Sequence, residues 1–399
     1  MENIFLKEEI NKLIESNISF AEFLLRSKLN SETKQIIANF LKFKKKLEIK
    51  FPSIYKNILF INSKSFEQAS CEAAAKFKAS LISGEKGIDI TGGLGIDTIF
   101  FSYRFQKFFY CEKNAEIFEN FKRNLANFNI TNIETLNLDG ISFLQNCRDN
   151  EFDFIYVDPS RRNNNDKIYE LRKCEPDIIY NINLMLSKGS LVLAKISPME
   201  HYKAIINIFE DKLQEIISVS VNGENKEKLC LLSKSIKKEQ KKTAAVLNKH
   251  GEIKIIISDF LKTPSANKFD CKANQISNYL YEFDPAIREL DLQLKASKMF
   301  NIYPIDNYGR YFTSAKIVEN FPGRIFQIKE ILPAKIKVIK ENLKRLGIKK
   351  LEIITKYSKF DAYKIFSHLN IKQGGDDFLI FAEICSKEKI CIICSRIPT

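Results

Sequence analysis

The sequence predicts an α/β chain whose centre is a doubly wound parallel sheet, with an N-terminal helical region before it and α+β modules after it. Three observations carry this. Up to about residue 82 the apolar residues recur only at helical spacing. From Gly87 onward, short apolar runs alternate with helical stretches, the pattern of strands covered on both faces by crossover helices. Beyond about residue 243 the pattern shifts to many short strands among short helices.

The elements follow in order. Leu6, Ile10, Leu13 and Ile14 share one helical face, and Ile36, Ile37, Phe40 and Leu41 share another. Lys42, Lys44, Lys45 and Lys46 prolong that second helix and read as a solvated face, with nucleic-acid contact the lesser alternative. Phe51, Pro52 and Ser53 break the pattern. Residues 65–82 read as one further helix, with Ala69, Ala73, Phe77 and Leu81 in register. Strands are then predicted at 88–91, 108–111, 134–138, 154–157 and 190–194, with helices at 115–127 and 176–186 between them. Residues 215–221 and 229–232 can close the sheet as an antiparallel pair, and the lysine-rich stretch 233–243 reads as a linker. Further strands are expected at 253–257, 351–355, 378–382 and 390–394.

At 399 residues the chain exceeds one ordinary core, so two or three domains are expected. No apolar run reaches the ~18 residues that span a bilayer, and residues 1–15 carry Glu2, Glu8 and Glu9 with no apolar signal core. The nine cysteines are scattered, which fits free thiols in a reducing compartment and hence a cytoplasmic protein. Cys391 and Cys394 form a lone C-x-x-C, but on a strand they face opposite sides, so no metal site is expected. The net charge of +14 is uneven: residues 86–230 carry 18 Lys+Arg against 21 Asp+Glu, and residues 231–399 carry 31 against 18. A near-neutral centre with a basic C-terminal flank suits a polyanionic partner.

The motif Asp89-Ile90-Thr91-Gly92-Gly93-Leu94-Gly95-Ile96-Asp97 lies at the end of the first predicted strand, where glycines allow a tight turn and close backbone approach to a ligand. Glu112 ends the second strand and can accept from both ribose hydroxyls; Asp139, followed by Gly140, ends the third and can reach an adenine amino group. Asp158 and Pro159 end the fourth. Ligands of open α/β sheets bind at these carboxyl ends. A dinucleotide would want a sixth-position glycine, which is missing, and Asp89 at the loop entrance would repel a pyrophosphate but suits a methionyl ammonium. The ligand these residues favour is S-adenosylmethionine (SAM), bound by Asp89, Thr91, Gly92, Gly93, Gly95, Asp97, Glu112, Asp139 and Gly140.

This strand–loop–Glu–Asp–Asp-Pro order resembles class I SAM-dependent methyltransferases. More narrowly, Glu67-Gln68-Ala69-Ser70-Cys71-Glu72, the loop 89–97, Asp158-Pro159-Ser160-Arg161-Arg162 and Lys195-Ile196-Ser197-Pro198 resemble a bacterial family with a helical N-terminal region, a class I methyltransferase domain, a ferredoxin-like domain and a C-terminal THUMP-like domain. The resemblance implies boundaries near 1–75, 76–235, 236–324 and 325–399, the last marked by Gly374-Gly375-Asp376-Asp377-Phe378. THUMP domains are associated with RNA modification, so it implies rRNA or tRNA as partner. The loop with Asp97 is also similar to that of a ribosomal-RNA guanine-N2 methyltransferase family.

In amino-group methyltransferases an Asp or Asn, then Pro-Pro-aromatic, accepts hydrogen bonds from the target NH2 and stacks on the flipped base. Asp158 and Pro159 match, whereas Ser160 and Arg161 depart from the pattern. The expected catalytic set is Asp158, Pro159, Ser160 and Arg161, with Arg161 or Arg162 stacking on a base or holding a phosphate. Asn163, Asn164 and Asn165 make a polar loop beside it. Pyrimidine C5 chemistry needs a cysteine nucleophile, and none follows Asp158 closely; Cys174 falls in a helical stretch. His201 is a surface histidine or part of the site wall, and Glu67, Gln68 and Ser70 either cap a helix or fold over the methionyl carboxylate. The expected function is methylation of an exocyclic base nitrogen in rRNA or tRNA. The rivals are a protein or small-molecule methyltransferase and a non-catalytic RNA-binding protein. The oligomeric state is not legible.

Overall fold

The computed structural model describes residues 6, 8–13, 19–26, 29–161, 171–234, 239–261, 269, 276–356 and 361–398. They form two compact units: 1–216 with 226–239 and 249–252, and 217–225 with 240–248 and 253–399.

The first unit begins with a helical stretch at residues 8–13, in which Ile10 is buried, followed by helices α1 (Phe20–Arg26) and α2 (Ser31–Lys50). Asn30 caps α2 by accepting from the Thr33 amide at 2.8 Å, and Ile37, Phe40, Phe43 and Leu47 form its buried stripe. The single helix expected over 65–82 is two, α3 (Ser63–Gln68) and α4 (Glu72–Ser80). The physical reason lies far along the chain. Ser70 turns inward to donate to Asp97 at 2.8 Å, and Ala69 leaves the helical region at ψ 144° to let it.

The predicted alternation follows: β1 (Gly84–Asp89), α5 (Ile96–Ser102), β2 (Phe105–Cys111), α6 (Ala115–Leu125), β3 (Ile133–Leu136), α7 (Gly140–Gln145) and β4 (Phe152–Val157). A two-residue pair, β5 (Ser160–Arg161) with β6 (Cys174–Glu175), precedes α8 (Ile178–Lys188), β7 (Gly189–Ile196), α9 (Tyr202–Phe209), β8 (Leu213–Val221) and β9 (Glu224–Leu232). The strands lie in the order β8-β9-β7-β4-β1-β2-β3. β7, β4, β1, β2 and β3 are mutually parallel, and β9 runs antiparallel to β7 with Cys230 opposite Ala194. The chain enters this sheet at β1, goes outward through β2 and β3, then returns to β4 on the other side. The topological switch therefore falls between β1 and β4, where such sheets leave a crevice. Rings seal the sheet beneath it: Phe101 of α5 packs 5.0 Å from Phe154 and 5.1 Å from Tyr156.

In the second unit β10 (Lys241–Leu247) and β11 (Ile253–Phe260) form an antiparallel hairpin. Lys241 to Thr243, expected in a linker, are thus strand, and 235–238 lie outside the described residues. Then come β12 (Tyr279–Phe283), α10 (Pro285–Glu289), α11 (Gln293–Phe300), β13 (Tyr303–Pro304), β14 (Phe312–Ser314), β15 (Gly323–Pro333), α12 (Ile336–Arg345), β16 (Lys350–Ile354), α13 (Ala362–Leu369), β17 (Lys372–Glu383) and β18 (Lys389–Ile397). They make one sheet in the order β13-β14-β12-β15-β18-β17-β16, parallel only between β16 and β17. Cys391 packs in the core on one face, with Leu343 and Phe381, and Cys394 in the core on the other, with Leu280 and Phe326, as strand alternation requires. Cys385 departs from the expectation of free thiols: it is disulfide-bonded. Among the described residues no helix is long and apolar enough to cross a membrane, and no group of three or more His, Cys, Asp or Glu could hold a metal ion.

Candidate active site

The first unit holds a cavity of about 640 Å³ at the carboxyl ends of β1, β2, β4 and β7. Asp89 closes β1 there and is buried. Its Oδ1 accepts from the Thr91 amide at 2.9 Å and the Thr91 hydroxyl at 3.3 Å, which ends the strand two residues before the expected position. Its Oδ2 accepts from the Thr98 hydroxyl at 2.8 Å. Burial raises the Asp89 carboxyl to about 7, against the lowering effect of these hydrogen bonds.

The glycines of the loop have different tasks. A Cβ on Gly92 would lie 2.2 Å from the Tyr110 ring, and one on Gly95, at φ +79°, 2.0 Å from the Phe121 ring. Both are packing requirements. Gly93, at φ +56°, meets nothing nearer than the Thr91 carbonyl at 3.7 Å, so its open side is left to the cavity. Its amide donates to Glu112 Oε2 at 2.9 Å, and Asn114 donates to Oε1 at 2.7 Å. Glu112 is thereby fixed at the end of β2 with lone pairs to spare. Asp139 caps α7, accepting from the Ser142 amide at 2.8 Å, and is exposed. Gly140 follows because a Cβ there would lie 2.3 Å from the Ile90 carbonyl.

Asp158 leaves β4 with its amide donating to Thr91 Oγ1 at 2.8 Å, so one threonine joins the glycine loop to the expected acceptor site. Its Oδ2 lies 2.6 Å from the Lys195 ammonium, and Oδ1 has no hydrogen-bond partner among the described residues. Burial alone would lower the Lys195 pKa; the carboxylates of Asp158, Glu227 and Asp97 outweigh it and hold the value above the ordinary one. Pro159 and Ser160 line the same cavity, and Ser160 donates to the Glu175 carbonyl at 3.4 Å. The backbone of Arg161 pairs with Cys174. The expected roles of the Arg161 side chain, Arg162 and the loop Asn163, Asn164 and Asn165 lie outside the described residues.

Asp97 reaches the cavity wall but faces inward. Its Oδ2 accepts from Ser70 at 2.8 Å and Tyr156 at 2.9 Å, and Lys78 lies 3.0 Å from Oδ1 as an ion pair without hydrogen-bond geometry. Lys78 is fully buried and also meets Glu227 at 2.9 Å. Lys78 in effect balances two buried carboxylates, and the Lys78 side of the pair depresses the Asp97 pKa against the effect of burial. Gln68, Ala69 and Ser70 line the cavity, and the carbonyls of Phe66 and Glu67 that end α3 accept from Lys50 at 2.5 and 3.2 Å. His201 caps α9, accepting from the Lys203 amide at 3.3 Å, and is exposed. Sequence reasoning missed Lys78, Tyr156 and Glu227, and took Lys195 only as part of a family-like motif, without a role in the site. The one available signal was a lysine in the middle of an otherwise apolar run, Ala194-Lys195-Ile196, and in an Ala-rich helix, Ala75-Lys76-Phe77-Lys78-Ala79.

A doubly wound sheet with its switch point under a glycine loop and flanking acids is an α/β fold that takes its ligand at the carboxyl ends of the strands. Comparison with solved structures agrees. A candidate methyltransferase from Porphyromonas gingivalis W83 aligns over 100% of this chain and 98% of its own, with TM-score 0.82 and 23% identity, so the two share a fold. A candidate methyltransferase from Streptococcus mutans in complex with SAH aligns over 40% of this chain and 95% of its own (TM-score 0.31, 13% identity). An rRNA methylase from Streptococcus thermophilus aligns over 41% and 95% (TM-score 0.30, 14% identity). The last two likenesses are slight. Residues 323–396, from β15 to β18, match the family described as THUMP domain-like. No curated protein matches the sequence.

Proposed function

We propose that this chain is a SAM-dependent methyltransferase acting on an exocyclic base nitrogen in ribosomal or transfer RNA. The observation that carries the reading is convergence: the glycine loop, Asp89, Glu112, Asp139 and Asp158 line one cavity at the switch point of the sheet. The open side of Gly93 is the room a ligand needs, and the fixed Glu112 carboxylate fits a ribose diol. Asp139 and Gly140 would bound the adenine end, and Asp89, Thr91 and Asp97 would set the loop under the methionyl end. The sulfonium of SAM supplies an electrophilic methyl when bound. The chain's own work is to orient the acceptor and take its proton. Asp158 Oδ1 is the acceptor for an N–H of the target base, and Pro159 and Ser160 wall its face.

The RNA part of the reading is supported by the THUMP-like match and by the basic balance of residues 231–399, 31 Lys+Arg against 18 Asp+Glu. The test is methyl transfer from tritiated SAM to RNA from a strain lacking the gene, with Asp158→Ala as control. Label in one RNA species, lost in the variant, is expected. Label in protein and none in RNA would discard the reading.

A further inference from the structure

The turn from β13 to β14, residues 305–311, carries an aromatic ring that the core does not use. Tyr308 at its tip is 59% exposed, and Tyr303 of β13 is 49% exposed. The Arg310 guanidinium lies over the Tyr308 ring, 4.4 Å from its centroid and within cation–π range. One buried carboxylate holds the turn from below. Asp306 Oδ1 accepts from the Tyr308 amide at 2.7 Å, and Oδ2 accepts from the Arg310 and Tyr311 amides, each at 3.2 Å. The Ile305 amide donates to the Tyr311 carbonyl at 3.1 Å and closes the turn. Gly309, at φ +62°, sits where a Cβ would lie 2.3 Å from the Phe269 ring, so the tip rests on that ring. The backbone is fixed, and the tyrosine it presents costs little to order when a ligand arrives.

The surrounding charge indicates the ligand. Residues 292–312 contain Lys295, Lys298 and Arg310 and a single acid, Asp306, whose oxygens are taken by the three amides. Lys295 and Lys298 are exposed on α11, Lys295 with Asp259 at 3.5 Å. An aromatic ring and an arginine plane beside cations suit an unpaired nucleobase: its π-face stacks on the ring while the charge draws its phosphate. A protein partner can also use an exposed tyrosine. The 31 Lys+Arg against 18 Asp+Glu of residues 231–399 favour the polyanion.

We propose that the β13–β14 hairpin is a stacking platform for an unpaired RNA base, which lies on the Tyr308 ring with the Arg310 guanidinium beside it. The platform lies outside residues 323–396, the THUMP-like segment, and is a second point of RNA contact. It rests on the RNA reading above.

The chain has no tryptophan, so Tyr308→Trp gives the full-length protein one indole, at the platform itself. Retention of an end-labelled, unpaired oligoribonucleotide by wild type at low salt is measured first. No binding there would mean that the RNA reading has failed, and the platform with it. With binding established, unpaired RNA should quench the indole saturably, along the same curve as retention. A blunt duplex of the same sequence should quench it far less, because its bases are already stacked on one another. Tyr308→Ala should weaken affinity for the unpaired RNA about ten-fold. The slope of log affinity against log salt should not change, since no charge is removed. Tyr308→Phe should bind as wild type does. An unchanged melting temperature, expected for so exposed a side chain, separates loss of contact from loss of fold. RNA that binds without quenching the indole, or binds Tyr308→Ala as tightly as wild type, would overturn the platform and leave the RNA reading standing. Equal quenching by the duplex would overturn it too.

Discussion

Asp89 is the residue whose ionisation has the clearest consequence. Its carboxyl is raised to about 7 from the ordinary 3.8, chiefly by burial. A raised carboxyl favours the protonated form in the fold, so the stability it contributes is present at acid pH and is lost as pH climbs from about 4 to about 7. The integrated change is of the order of 4 kcal/mol. Asp89→Asn removes this titration while the Thr98 hydroxyl can turn to accept. We expect the variant to gain stability relative to wild type across that window and to hold a constant difference above it, as read from urea unfolding at several pH values. A difference that does not change with pH would contradict the assignment. The placement of Asp89, Glu112, Asp139 and Asp158 was legible in the sequence, because each follows an apolar run whose end marks a strand terminus. Lys78 and Lys195 were not, since their meaning comes from Asp97, Glu227 and Asp158, all remote in sequence. Asp97 reads in the sequence as a ligand contact, and nothing local reveals that Ser70, Tyr156 and Lys78 already claim its oxygens.

The same division appears between elements. Strand and helix alternation follows from apolar period and was readable; the break at Ala69 was not, since it is imposed by an Asp97 that lies 27 residues from Ser70. That junction makes two predictions. Lys78→Met leaves Asp97 and Glu227 buried without their cation and should cost about 3–5 kcal/mol in denaturant unfolding. Adding Glu227→Gln should return part of the loss, and strict additivity would show that the three groups do not act together. In the glycine loop, Gly95→Ala faces both a positive φ and the Phe121 ring, which cannot retreat because it stacks 3.9 Å from Tyr110. Gly95→Ala should cost at least about 2 kcal/mol. Gly93→Ala, with an open Cβ position, should cost about 1 kcal/mol yet weaken SAM binding more than Gly95→Ala weakens it per unit of lost stability.

On the scale of the whole molecule, two units divide the work. One carries the cavity, and the other carries the THUMP-like segment and most of the net positive charge. Lys337, Lys340 and Lys344 lie exposed along α12, whose opposite face buries Ile339 and Leu343. If this unit contacts RNA phosphates, log affinity should fall linearly with log salt by about 0.7 per phosphate neutralised. Reversing the three lysines to Glu should flatten that slope by about 2 and leave the SAM-induced melting shift unchanged. A slope that stays the same would remove α12 from the RNA surface. The sequence announced this polarity through its uneven charge, but not that one continuous sheet joins β12 to β15, because pairing such as Leu280 with Phe326 leaves no local trace.

The central claim is that the switch-point cavity is a SAM site. Isothermal titration of the purified chain with SAM tests it most directly. The account predicts saturable one-to-one binding that is lost in Glu112→Ala while the variant's unfolding stays cooperative. An absence of heat up to millimolar SAM, or binding that is indifferent to Glu112, would contradict it.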